Sequence, residues 1–147
     1  MIDNLCVKQI VGNDERQILD LIYSDPVLVK TFLGDKNTIS RILTSIYTAL
    51  IILDDEVIGF VLFVDNERTG KVEIDMGILS DYRNKGYGTM VLKKLKSIII
   101  QEKLDVEIEI KEFNVGAINS VVKNGFVLNR KIEDRNYYVL GKRKKLV

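Results

Sequence analysis

The chain has 147 residues, with 22 lysines and arginines against 21 aspartates and glutamates, one cysteine and no histidine. The near-balanced charge leaves no overall field to draw in nucleic acid or a membrane, and the lack of histidine excludes Ser-His-Asp systems, Cys-His systems and His-ligated metals. A chain of this length can bury a sizeable core without a disulfide. With no histidine and a single cysteine, any catalysis must run on carboxylates, tyrosines, lysines, backbone amides or a bound cofactor.

Cys6–Val11 has the length and β-branched content of a strand, within which Cys6 reads as a small buried apolar residue rather than a nucleophile. Asn13 can cap a helix whose stripe is Ile18, Leu21 and Ile22, and Asp25-Pro26 stops it. A second helix is predicted from Thr38 to about Thr48, with Ile39, Ile42, Leu43 and Ile46 on one face. Ala49–Leu53 and Val57–Val64 flank Asp54-Asp55-Glu56 and predict a β-hairpin. Those acidic residues also interrupt the most apolar region too early for a membrane span. A turn at Asn66–Gly70 leads into a strand over Val72–Leu79, then a glycine loop, then a helix from Gly88 to Lys103. Val106–Lys111 alternates as a strand, Asn114–Lys123 reads as a helix, and Gly125–Ile132 and Tyr137–Leu140 read as strands.

No repeat, linker or low-complexity tract divides the chain, so residues 1–147 read as a single domain. No apolar run near the N-terminus resembles a signal peptide, and the chain reads as cytoplasmic. The order β-α-α-β-β-β-α-β-α-β-β combines hairpins with one strand-helix-strand unit between Val72 and Lys111, which demands a right-handed parallel crossover. The expected fold class is therefore α/β (α+β), with a central mixed, mostly antiparallel sheet flanked by helices.

Arg83-Asn84-Lys85-Gly86-Tyr87-Gly88-Thr89 joins a strand to an amphipathic helix. Glycines let a backbone curl so that N–H groups converge, and a helix start adds partial positive charge, to which Arg83 and Lys85 add two full charges. A pyrophosphate suits that arrangement, although two glycines can also simply make a tight turn. The loop is not a Walker loop, since no Gly-Lys-Ser/Thr follows. Nor is it a dinucleotide fingerprint, because Val91 replaces the third glycine.

The stretch VEIDMGILSDYRNKGYGTM, Val72 to Met90, resembles the central motif of the GNAT superfamily of N-acetyltransferases, Arg/Gln-x-x-Gly-x-Gly/Ala. NVGAINSVVKNGF, Asn114 to Phe126, resembles the family's second motif, and the spacing and element order also fit. The resemblance implies an acetyl-coenzyme A-dependent N-acetyltransferase acting on a small-molecule or peptide amine. It places the pyrophosphate on Arg83, Asn84, Lys85, Gly86, Tyr87, Gly88 and Thr89, and the pantetheine arm along Gly77 and Ile78. Asn114 would also touch the cofactor, and no metal site is expected.

Glu107 and Glu109 share one face of their strand, and Glu73 and Asp75 share one face of theirs. If those strands are parallel neighbours, the four carboxylates approach one another, attract a cationic amine and raise one pKa toward base duty. By resemblance Glu109 is the first candidate general base and Glu73 the second. Many members carry a tyrosine, as acid for the departing thiolate, where this chain has Val121; Tyr137 and Tyr138 are the candidates to replace it. That departure keeps open a non-catalytic acyl-coenzyme A sensor of the same fold. The basic run Lys142-Arg143-Lys144-Lys145 is the only hint of RNA, a homodimer stays open, and no membrane partner is expected.

Overall fold

The computed structural model describes residues 4–10, 15–33 and 37–140. Its strands are β1 (Leu5–Gln9), β2 (Tyr47–Leu53), β3 (Glu56–Asn66), β4 (Lys71–Ile78), β5 (Val106–Lys111), β6 (Phe126–Ile132) and β7 (Arg135–Leu140). Its helices are α1 (Glu15–Tyr23), α2 (Pro26–Leu33), α3 (Thr38–Thr44), α4 (Tyr87–Gln101) and α5 (Val115–Lys123). The strands form one sheet in the order β1-β2-β3-β4-β5-β7-β6. Every neighbouring pair is antiparallel except β4 and β5, which are parallel, as the crossover through α4 requires.

Period-two alternation gives the sheet two different faces. On one, Ile74, Val106, Ile108 and Ile110 meet Val91, Leu92, Leu95 and Ile99 of α4, and Val121 of α5 joins the same core. On the other, Leu50, Phe60, Leu62 and Val64 meet Ile18, Ile22, Leu28, Phe32 and Ile42 from α1, α2 and α3. Each such side chain, fully buried, contributes roughly 1.5–3 kcal/mol. The β2–β3 hairpin turns on Asp54 (φ 47°) and Asp55 (φ 68°). Both are left-handed, as a two-residue turn that follows the strand twist requires.

The structure inserts one helix, α2, that the sequence reading did not contain. Pro26 ends α1, but it also opens α2, where its missing N–H costs nothing. Asp25 caps that new helix, its Oδ1 accepting from Val27 N at 2.9 Å and Leu28 N at 3.3 Å. Helix α3 ends at Thr44 and buries Thr38 and Ile42, whereas Ile39, Leu43 and Ile46 of the expected apolar stripe are about half exposed. Cys6 is exposed, contrary to the reading of it as buried. On the edge strand β1, alternation turns Leu5 and Val7 toward the core and Cys6 away from it. The proposed cap Asn13 and the basic run 142–145 lie outside the described residues. Among those described, no helix is long and apolar enough to cross a membrane.

Candidate active site

β4 and β5 pair at only two positions, Val72↔Val106 and Glu73↔Glu107, and then diverge. Backbone hydrogen bonds show which groups face the resulting gap. Val72 N donates to Asp105 O at 2.7 Å, toward β5, whereas Leu79 N donates to Ile58 O at 2.8 Å, toward β3. Alternation between these ends turns the backbone groups of Ile74, Met76 and Ile78 toward β5 and those of Glu73, Asp75 and Gly77 toward β3. Beyond Glu73 no β5 residue is in register to bond them. Arg83 confirms the direction, its Nε donating to Ile78 O at 2.9 Å across the end of the gap.

The backbone of Ile78 therefore faces the cleft, and the backbone of Gly77 does not. Gly77 has another reason to be glycine. A Cβ there would lie 2.5 Å from Phe60 Cε1 and 3.0 Å from Phe32 Cε2. Those rings meet edge-on at 5.0 Å between centroids, and the missing side chain makes room for them.

The gap opens into a cleft of about 840 Å³ that passes through the sheet, with lining residues from both faces. Toward α4 and α5 it reaches Arg83, Asn84, Gly86, Tyr87, Gly88, Thr89 and Asn114. Lys85 is exposed and is not among the lining residues. Gly86 has φ 87° and serves as the N-cap of α4 without any side-chain hydrogen bond. The contrast with its neighbours is direct: Asn37 caps α3, and Asn114 caps α5 by accepting from Ala117 N at 3.2 Å. A helix start with no side-chain cap, with its dipole directed at the cleft, is suited to an anion.

Two residues that the sequence reading overlooked hold this end together. Thr89 Oγ1 donates to Ser120 Oγ at 3.0 Å, and Asn124 Nδ2 donates to Thr89 O at 3.1 Å. These bonds tie the first turn of α4 to α5. No sequence signal singled them out: Ser120 reads as an ordinary polar residue of α5, and Asn124, which is buried, as the residue that ends it.

The carboxylates do share the opposite face, and Glu73 and Glu107 are register neighbours. They do not form a naked acidic cluster, however, because each has a cation. Arg41, from α3, donates from Nε to Asp75 at 2.6 Å and from a terminal nitrogen to Glu73 at 3.1 Å. Burial works against the Arg41 charge, but the two carboxylates outweigh it and raise its pKa. Glu107, 2% exposed, binds Arg130 at 2.9 Å and lies 3.8 Å from Lys71. Its hydrogen bond raises the Arg130 pKa, with weaker help from Tyr137 and Glu73. Glu109 lies 3.5 Å from Arg135 Nε. The cleft is lined by Glu73, Asp75 and Glu109, but not by Glu107.

Val121 is buried, lines the cleft and presents no hydroxyl. Neither suggested replacement lines the cleft. Tyr138 is buried in the α4-side core with its hydroxyl 3.3 Å from Asn136 Nδ2, and Tyr137 lies under the Arg130 guanidinium at 4.1 Å. The tyrosines that line the cleft are Tyr82 and Tyr87. Tyr82 donates its hydroxyl to Glu56 at 2.9 Å, which raises its pKa.

A parallel pair thus splays beside an uncapped, glycine-started helix in a mixed α/β sheet. The family model described as acetyltransferase (GNAT) family matches residues 20–126, and the chain belongs to that family. Among curated protein sequences, none matches this one. Solved structures similar to it include a domain from Methanocaldococcus jannaschii DSM 2661, 18% identical with a TM-score of 0.74 over 94% of this chain and 98% of that one. An IAA acetyltransferase from Bacillus cereus ATCC 14579 is 12% identical with a TM-score of 0.70, over 92% and 97%. An aminoglycoside acetyltransferase in complex with coenzyme A is 15% identical with a TM-score of 0.71, over 95% of each chain. At these identities the likeness shows the fold.

Proposed function

We propose that this chain is a single-domain N-acetyltransferase that moves an acetyl group from acetyl-coenzyme A to a primary amine of a small molecule or a protein N-terminus. The observation that carries this reading is the splay of β4 from β5 after Glu73↔Glu107, opening onto the uncapped start of α4. Solved relatives in the same fold include one with coenzyme A bound.

The residues present fit the cofactor. Amides from Gly86 to Thr89, with Arg83 beside them, would receive the pyrophosphate. The backbone groups of Met76 and Ile78 that face the gap would pair with the pantetheine arm as an added strand does. The bound thioester supplies the activated acyl group. Glu109, in the cleft wall, takes a proton from the incoming ammonium so that the nitrogen can attack. The N–H groups of Ile74 and Met76 point into the gap, where they can stabilise negative charge on a carbonyl oxygen. As the C–N bond forms the C–S bond breaks. A thiol pKa of roughly 8.5 makes the thiolate a tolerable leaving group, so the hydroxyl missing at Val121 is not essential.

Val121 favours one second reading, a non-catalytic acyl-coenzyme A-binding module. Release of free thiol from acetyl-coenzyme A over a panel of amines separates the two. Amine-dependent release supports the transferase, and cofactor-induced thermal stabilisation without release on any amine supports the sensor.

A further inference from the structure

Opposite the α4 mouth, the wall of the cleft is charged but balanced. Its lining residues on the α1–α3 side include the cations Arg41, Lys111 and Arg135 and the carboxylates Glu73, Asp75 and Glu109. They are already matched: Arg41 with Asp75 and Glu73 at 2.6 and 3.1 Å, and Arg135 with Glu109 at 3.5 Å. Lys111 in turn lies 3.6 Å from Asp134.

A mouth built of matched charges selects differently from an acidic one. A polycation must shed the hydration of several charges and finds each carboxylate here held by an arginine or close to one. It also meets repulsion from Arg41 and Arg135, which is how binding sites reject a wrong partner. An acceptor with one ammonium and one carboxylate can instead exchange partners. Its nitrogen takes the place of Arg135 beside Glu109 while its carboxylate receives the Arg135 guanidinium. Charge is conserved at every step. The nitrogen and carboxylate of an α-amino acid are one carbon apart, a spacing comparable to that at which Glu109 and Arg135 present their charged ends. Strand register supports the geometry, because Arg135 pairs with Lys111 and Tyr137 with Glu109, which puts Arg135 diagonal to Glu109 on one face.

We infer that the acceptor is zwitterionic, an amine that carries its own carboxylate, with a free α-amino acid as the simplest case. Arg135 receives the carboxylate, and Arg41 bars polycations by occupying Glu73 and Asp75. This inference rests on the acyl-transfer reading above.

The test measures thiol release from acetyl-coenzyme A with matched acceptors: the free amino acids, their carboxamides, benzylamine and 1,4-diaminobutane. The best amino acid should exceed its carboxamide and the diamine in kcat/KM by about tenfold or more. Arg135→Gln should erase the preference for the acid over the carboxamide. Arg41→Gln should raise turnover of the diamine by about tenfold, because it releases two carboxylates, and Arg41→Lys should not. Should Arg41→Gln fail to fold, Arg135→Gln still carries the test, since that side chain is 39% exposed. Equal or better use of carboxamides or the diamine by the unaltered protein overturns the inference and leaves acyl transfer standing. Thiol release from no acceptor overturns both.

Discussion

The Asp25 carboxylate accepts the Ser80 amide at 2.6 Å and the Ser80 hydroxyl at 2.9 Å, across 55 residues of sequence. The same carboxylate caps α2 through Val27 and Leu28. One buried side chain thus fixes the helix that flanks the acceptor mouth to the turn that follows β4. Led by the Ser80 backbone bond, these contacts outweigh burial and lower the Asp25 pKa.

Removing Asp25 loses a cap and takes the carboxylate partner from the Ser80 amide and hydroxyl, so Asp25→Ala should cost about 2 kcal/mol in urea unfolding. The pH dependence has a definite sign. A depressed folded-state pKa contributes stability above the unfolded value near 3.8 and loses it as pH falls through the folded value. Unfolding midpoints should therefore decline with acid below about pH 4 in the unaltered protein more steeply than in Asp25→Ala.

Gly77→Ala should destabilise by about 1–3 kcal/mol, since its Cβ would overlap the Phe60 ring. Phe60→Leu in the same chain should recover part of that loss, a non-additivity that a double-mutant cycle reads directly. If Gly77 acted only through its backbone in the cleft, the second change would give no recovery.

Gly86 and Gly70 have similar positive φ, 87° and 72°, and neither has a heavy atom within 4 Å of an added Cβ. Valine at either site should cost a similar strain, about 1–2 kcal/mol. Only Gly86→Val should also weaken coenzyme A binding, by about tenfold in a calorimetric titration, because only Gly86 starts α4.

Glu109→Gln should lower kcat by about 10²–10⁴-fold if Glu109 is the base. Glu73→Gln should act more weakly on kcat, since Glu73 shares Arg41 with Asp75. Reversal of that order would move the base from β5 to β4.

Much of the fold was legible because hydrophobic period and turn chemistry agree along most of the chain. Asp54-Asp55 marked the hairpin, the alternation of VEIEIK marked β5, and strand-helix-strand order forced the parallel pair. Helix α2 was not legible, because Asp25-Pro26 is the same signal whether it stops a helix or starts the next one. In the site, the glycine loop could be placed from sequence, and its position at the start of α4 follows. What stayed hidden depends on partners distant in sequence. The pairing of Arg41 with Glu73 and Asp75 spans more than thirty residues, and it turned an expected acidic cluster into a neutral wall. The direction of the β4 backbone likewise followed from hydrogen bonds at its two ends, which moved the cleft-facing groups from Gly77 and Ile78 to Ile74, Met76 and Ile78.

The most direct test of a coenzyme A seat between β4 and β5 is a titration of the isotope-labelled protein with coenzyme A, followed by amide chemical shifts. Saturable shifts should be largest at Gly86, Gly88 and Thr89 and at Met76 and Ile78, with Gly77 moving less than its two neighbours. Saturation without shifts at those amides, or no saturable binding at all, would contradict the account.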